Sequence, residues 1–166
     1  MFTAPQVVAL LEELSFTHVV TIPDSTLGQW EDALKECESI EYVGVCREGE
    51  AWAVATGLQL GGATPLVMIQ CTGLFESGDS LRNALFDYQR PLFSLVGYRS
   101  YLDQSTLPGD TCLKFTEPIL DAWGMDWALY DQADDTAGQL EAIAAQCRRC
   151  REAGVPGVAL VAEGRA

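Results

Sequence analysis

The stretch IEYVGVCREGEAWAVATGLQLGGATPLVMIQ, residues 40–70, decides the reading of the fold. It opens with a short, β-rich apolar run at residues 40–45. It then changes to a small-residue helical pattern over residues 49–60, closed by Gly61-Gly62. The following run, PLVMIQ at 65–70, is continuously apolar rather than alternating. That predicts a strand covered on both faces, as in a parallel sheet. Arg47, Glu48 and Glu50 sit where the first strand hands over to the helix, and two carboxylates at such a junction need a physical reason.

The same alternation extends in both directions. Residues 5–14 place Val8, Leu11 and Leu14 on one helical face, and residues 18–22 read as a β-branched strand ending at Pro23. Residues 27–37 repeat Leu27, Trp30 and Leu34 at helical spacing, with Ser25 or Thr26 as the cap. Downstream, residues 71–80 read as a loop, 81–89 as a helix, 92–96 as a buried strand and 97–111 as a long loop. Residues 115–123 predict a short helix, 127–130 a strand, 134–152 an amphipathic helix and 157–161 the last strand. Six strands alternating with about six helices predict one domain over residues 1–166: a doubly wound, mainly parallel six-stranded α/β sheet with helices on both faces. Ligands of such sheets lie beyond the carboxyl ends of the strands. Segments 23–26, 47–50, 70–80 and 97–111 therefore border the expected site.

Bulk properties narrow the function classes. The 166 residues are 48% hydrophobic and 20% charged, enough for one core and short for a two-domain enzyme with its own cleft. The formal charge is −14, from 24 acids against 10 bases. A field of that sign opposes nucleic acid and anionic membrane surfaces. The first residues, MFTAPQVVALLEELSF, carry Glu12 and Glu13 where a signal peptide stays apolar. No run approaches the length of a membrane span. A cytoplasmic protein is the expectation, with its six cysteines as reduced, mostly buried thiols. Cys147 and Cys150 form one C-x-x-C, but the only histidine is His18, so no metal site is expected on this chain.

Glu48 admits two readings from position alone. In one, Glu48 and Glu50 only complement the helix dipole, an effect of a few tenths of a kcal/mol each. In the other, a carboxylate beside buried apolar residues exchanges protons at the ligand edge. The run REGEAWAVATGLQLGG, followed by TPLVMIQCTGL and PLFSLVGYR, resembles the pyrimidine-binding domain of thiamine diphosphate-dependent decarboxylases. The likeness is in particular to sulfopyruvate and phosphonopyruvate decarboxylases. IPDS at residues 22–25 resembles their first strand-end motif, and the order of elements agrees over residues 5–162. The resemblance implies that Glu48 hydrogen-bonds N1′ of the cofactor's aminopyrimidine and favours its imino tautomer, which prepares the thiazolium to attack a 2-oxo acid. It further implies that Gly49, Gln70, Thr72 and Gly73 border the ring. Pro23, Asp24 and Ser25 would face the substrate, and Arg99 would meet an anionic substrate tail. Glu50 reads as a first-turn helix residue.

The sequence departs from that family in two places. GLFESGDS, residues 73–80, stands where the family has Gly-Leu-Gly-Asn, which introduces Phe75 and Glu76. STLPGDTCLKF, residues 105–115, lacks the family's loop histidine. Neither Gly78-Asp79-Ser80 nor Gly109-Asp110-Thr111 completes the Gly-Asp-Gly…Asn motif that holds Mg²⁺ and the diphosphate. The resemblance therefore implies an α-type subunit, a homodimer or α/β hetero-oligomer, whose β-type partner binds the diphosphate through Mg²⁺. Three other readings stay open: a carboligase subunit, a non-catalytic scaffold or regulatory module of the same fold, and a flavodoxin-like small-molecule binder. PDSTLG, residues 23–28, fits a flavodoxin-like phosphate loop poorly.

Overall fold

The computed structural model describes residues 2–25, 27–105, 107–132 and 135–162. Helix α1 (Ala4–Glu13) starts at a reciprocal cap: the Thr3 side chain accepts from Gln6 N–H while the Gln6 side chain accepts from Thr3 N–H. Strand β1 (His18–Thr21) follows, then a 3₁₀ turn (Gly28–Trp30) running into α2 (Glu31–Glu36). Next come β2 (Glu41–Gly44), α3 (Glu48–Leu60), β3 (Pro65–Gln70) and α4 (Cys71–Arg82), which continues as a π-helical segment (Asn83–Asp87). The chain ends with β4 (Phe93–Tyr98), α5 (Cys112–Ala122), β5 (Asp126–Tyr130), α6 (Thr136–Ala153) and β6 (Gly157–Ala162).

The six strands form one sheet in the order β2-β1-β3-β4-β6-β5, and every neighbouring pair is parallel. The expected doubly wound sheet is thus wholly parallel. Strands β3, β4 and β6 are buried at every position, as the continuous apolar runs require, while edge strand β2 is not. Alternate side chains feed two cores. Leu66 and Met68 of β3 meet α1, α2 and α6 through residues such as Leu11, Leu34 and Ile143. Val67 and Ile69 meet α3, α4 and α5 through Trp52, Leu74 and Leu120.

Most expected elements are present within a few residues, and one is different. Residues 71–80 are not a loop: α4 begins at Cys71, directly after the last residue of β3. Gly73, Gly78 and three hydroxyl residues lower helix propensity there. Packing overrides it, because Leu74, Ser77 and Leu81 bury one face. Gly78 leaves the helical region (φ 7°, ψ −85°) and bends the helix. At the other caps, Asp24 rather than Ser25 takes the Leu27 N–H (2.8 Å); Thr26, the alternative cap, lies outside the described residues. Asp134, the expected start of the last helix, also lies outside them, and Asp135 caps α6 through Gly138 N–H (3.0 Å). Gly154, at φ 67°, ends α6 in the left-handed conformation that glycine adopts without cost.

The sheet begins β6 under close contact. A Cβ at Gly157 would stand 2.6 Å from Phe93 Cδ2 and 2.7 Å from Cys150 Sγ, both inside the core. Gly157→Ala is expected to lower stability by about 1–3 kcal/mol through overpacking, read as a lower denaturant midpoint at unchanged slope.

Candidate functional site

The crossover from β1 leads through α2 on one face to β2, and the crossover from β3 leads through α4 on the other face to β4. The direction of winding therefore reverses between β1 and β3, which opens the crevice where doubly wound sheets bind ligands. Gln70, the last residue of β3, reaches across it. Its Nε2 donates to Ser25 Oγ (3.4 Å), and its Oε1 accepts from Thr72 Oγ1 (3.1 Å). Ser25, Gln70 and Thr72, inferred separately from the sequence, thus form one polar chain over the crevice. Pro23 is exposed on the same loop, and Asp24 is turned into the local cap.

Glu48 is the first residue of α3. Arg47 before it is extended (φ −147°, ψ 149°) and offers no side-chain cap, so the first-turn N–H groups need partners from elsewhere. The two carboxylates that the dipole argument treats alike have separate fates. Glu50 turns back, and its Oε2 accepts from Cys46 N–H (2.9 Å). The half-buried Glu48 side chain makes no hydrogen bond or ion pair among the described residues. It lies across Gly73: a Cβ on residue 73 would stand 2.4 Å from Glu48 Cγ, 3.0 Å from Cβ and 3.1 Å from Cδ. Glu48 and Gly73 are therefore brought into direct contact, and glycine is required by that approach.

Gly49 has a different surrounding from the one its sequence position suggested. A Cβ there would meet Ser80 Oγ at 3.1 Å and Glu76 Oε2 at 3.3 Å, so its missing side chain makes room for α4. Its N–H donates to Glu76 Oε2 (2.7 Å), while Arg47 Nε and Nη2 bind Glu76 Oε1 at 2.8 and 2.5 Å. The Gly49 N–H, and after it Arg47, hold the Glu76 carboxyl below its ordinary range. From the sequence, Glu76 stands out only as a departure from the family pattern. Its one signal is an acid among small residues, in a segment whose composition does not read as helical.

Arg99 follows β4, near Cys71, and its side chain is engaged by its own loop. Its Nε and Nη2 form a fork on Asp110 at 2.9 and 3.2 Å, and Nη2 also reaches Cys112 Sγ (3.4 Å). Ser100 Oγ and Cys112 N–H add donors to Asp110 at 2.8 and 3.0 Å. The Asp110 side chain is 3% exposed. The Arg99 guanidinium first, with these neutral donors, holds its carboxyl well below the usual aspartate range. Burial pushes the adjacent Cys112 thiol up to about 12 and raises Cys71 as well. All six cysteines are free, and among the described residues no three His, Cys, Asp or Glu side chains converge as a metal-ligand set. Among the same residues no helix is long and apolar enough to cross a membrane.

A doubly wound α/β domain with glycines and a carboxylate near its strand ends has the architecture in which ligands bind beyond the strands. Its family follows from comparison. Residues 1–125 match the model of the thiamine pyrophosphate enzyme N-terminal TPP-binding domain, and the chain belongs to that family. It is 30% identical over 149 residues to a phosphonopyruvate decarboxylase of Streptomyces viridochromogenes, covering 89% of this chain and 37% of that protein. It is 27% identical over 86 residues to the sulfopyruvate decarboxylase subunit alpha of Methanococcus maripaludis, covering 52% of each. The chain thus spans about a third to a half of the length of these relatives. An X-ray structure described as a thiamin diphosphate-dependent enzyme from Mycobacterium smegmatis superposes with a TM-score of 0.68 at 22% identity, over 98% of this chain and 31% of that one.

Two outcomes follow from the geometry. Gly73→Ala should swing Glu48 away from position 73, visible in a crystal structure. The net loss of stability should be about 1 kcal/mol, because a helix-propensity gain of about 1 kcal/mol offsets part of an overpacking cost of about 1–3 kcal/mol. Asp110→Asn should cost about 2 kcal/mol by leaving Arg99 without its counter-charge. Because the folded carboxyl titrates low, the wild-type contribution is complete above the unfolded aspartate value near pH 4. It is lost as the pH falls from there through the lowered folded value. In melts between about pH 7 and 3 the difference between the two proteins should stay constant down to about pH 5 and narrow below about pH 4.

Proposed function

We propose that this chain is the pyrimidine-binding half of a thiamine diphosphate-dependent 2-oxo acid decarboxylase, and that Glu48 is its catalytic carboxylate. The observation that carries the reading is the Glu48 side chain, unpaired at the ligand edge and seated across Gly73. An unpaired carboxylate beside a glycine floor fits a flat, nitrogen-containing ring that needs one acceptor and no bulk beneath it. Gln70, Thr72, Gly73 and the backbone of Gly49 would border the aminopyrimidine. Thiamine diphosphate, when bound, supplies the carbanion-stabilising electron sink that decarboxylation of a 2-oxo acid requires. The chain's own part is to hold the ring, keep Glu48 ready to share a proton with it, and shape the approach of substrate through Pro23, Asp24 and Ser25.

The diphosphate and its Mg²⁺ belong, on this reading, to a second, β-type subunit carrying Gly-Asp-Gly…Asn, with which the chain assembles as a hetero-oligomer. The decarboxylase names of the relatives support a sulfopyruvate- or phosphonopyruvate-like substrate. Arg99 serves its anionic tail only by giving up part of its fork on Asp110.

The test combines this protein with such a partner, thiamine diphosphate, Mg²⁺ and either substrate, and follows carbon dioxide release. Glu48→Gln should lower kcat about 10²–10⁴-fold, the range of a positioned acid–base group. Undiminished turnover in that variant removes Glu48 from the mechanism. Complex formation without turnover of any 2-oxo acid, by the wild type as well, would leave the scaffold reading in its place.

A further inference from the structure

The α3 N-terminus holds a device that the family likeness does not account for. Arg47, Glu48 and Gly49 are consecutive, and one carboxylate from another helix grips the outer two. Glu76 takes the Gly49 N–H on one oxygen and the Arg47 guanidinium on the other. Glu48, between them, is the residue left unpaired. Glu76 stands three residues after Gly73 on α4, hence on the same helical face. So α4 meets the junction twice: Gly73 opens the space that the Glu48 side chain fills, and Glu76 takes the Gly49 backbone N–H on one side of it and the Arg47 side chain on the other. With no cap from Arg47 itself, this is the only side-chain acceptor that the described residues give to the Gly49 N–H.

We propose that Glu76 is a positioning residue for Glu48: by bracketing residues 47 and 49 it fixes the helix start and keeps the Glu48 carboxylate over Gly73. The proposal rests on the reading of Glu48 as the catalytic carboxylate for its functional consequence, though not for its geometry. Its charge matters as well as its shape. A neutral amide still accepts from Gly49 N–H, but it pairs less strongly with Arg47.

The experiment uses the full chain without cofactor. NMR follows amide exchange at Gly49 and the nuclear Overhauser effect between Gly73 Hα and Glu48 Hγ, in the wild type, Glu76→Gln, Glu76→Ala and Arg47→Ala. Glu76→Ala should speed Gly49 exchange at least about tenfold, the equivalent of one missing charge-assisted hydrogen bond. Exchange of the buried β3 amides should stay put, and the Glu48–Gly73 Overhauser effect should weaken. Glu76→Gln should retain most of both, and Arg47→Ala should fall between. A purely stabilising role predicts a lower melting temperature with all amides speeding together and the Overhauser effect unchanged, and that result overturns the proposal. Should Glu76→Ala fail to fold, Arg47→Ala and Glu76→Gln decide it by the same two signals. In the assembled enzyme, Glu76→Ala should lower kcat. Wild-type turnover in a Glu76→Ala enzyme whose Glu48 has moved off Gly73 would also overturn the positioning role. An inert Glu48→Gln substitution, by contrast, would remove the functional reading and leave the structural one standing.

Discussion

The side chain of one residue crosses the Cα of another: Glu48 leaves no room for a Cβ at position 73. That approach joins the start of α3 to the start of α4; α4 follows directly on the end of β3, and α3 follows β2 after residues 45–47. The helices can come so near only because their facing residues are small. Gly49 admits Ser80 and Glu76, and Gly73 admits Glu48. The small-residue run of α3 thus has a packing cause as well as any ligand-side cause. Where the helices touch, the Glu48 side chain lies across Gly73; where the strands end, the crevice begins.

The fold was legible because its decisive signal is burial periodicity. Continuous apolar runs at β3, β4 and β6 correspond to strands buried on both faces, and the pattern survives any choice of helix length. The start of α4 was not legible for an equally physical reason. Gly73, Ser77 and Gly78 carry turn propensity, and packing of the buried face in the core makes the segment helical. The contacts of Glu76 were hidden with it, since a residue in an expected loop has no predicted facing partner. Asp110 was visible as an acid in a long loop, but its burial under Arg99 and Ser100 depends on loop closure, which no local pattern encodes.

Charge shows a related division between local and global effects. The chain as a whole is strongly acidic, yet its best-held carboxylates are each matched to a named cation: Glu76 to Arg47 and Asp110 to Arg99. Glu50 is matched to a backbone N–H. Arg99 and Asp110 fasten the loop after β4, while Arg47 and Glu76 fasten the junction after β2. Global charge opposes polyanions by its field, whereas a small anion would be judged by a few local donors such as the exposed Arg47 guanidinium, next in sequence to Glu48.

If Glu48 acts on a ring held partly by another subunit, as proposed, its requirement is stricter than that of a carboxylate in a closed pocket. On the proposed reading a partner would bring the diphosphate, while the direction of Glu48 would still depend on the backbone of this chain. Preorganisation within this chain would then favour the reaction. A helix start fixed by its neighbour meets that requirement better than a flexible loop, because both contact points, Gly73 and Glu76, lie on one rigid element. The low helix propensity of residues 71–78 is then no defect of the sequence. Glycine and serine are what allow the two helices to approach closely enough for Glu48 of one to lie across Gly73 of the other.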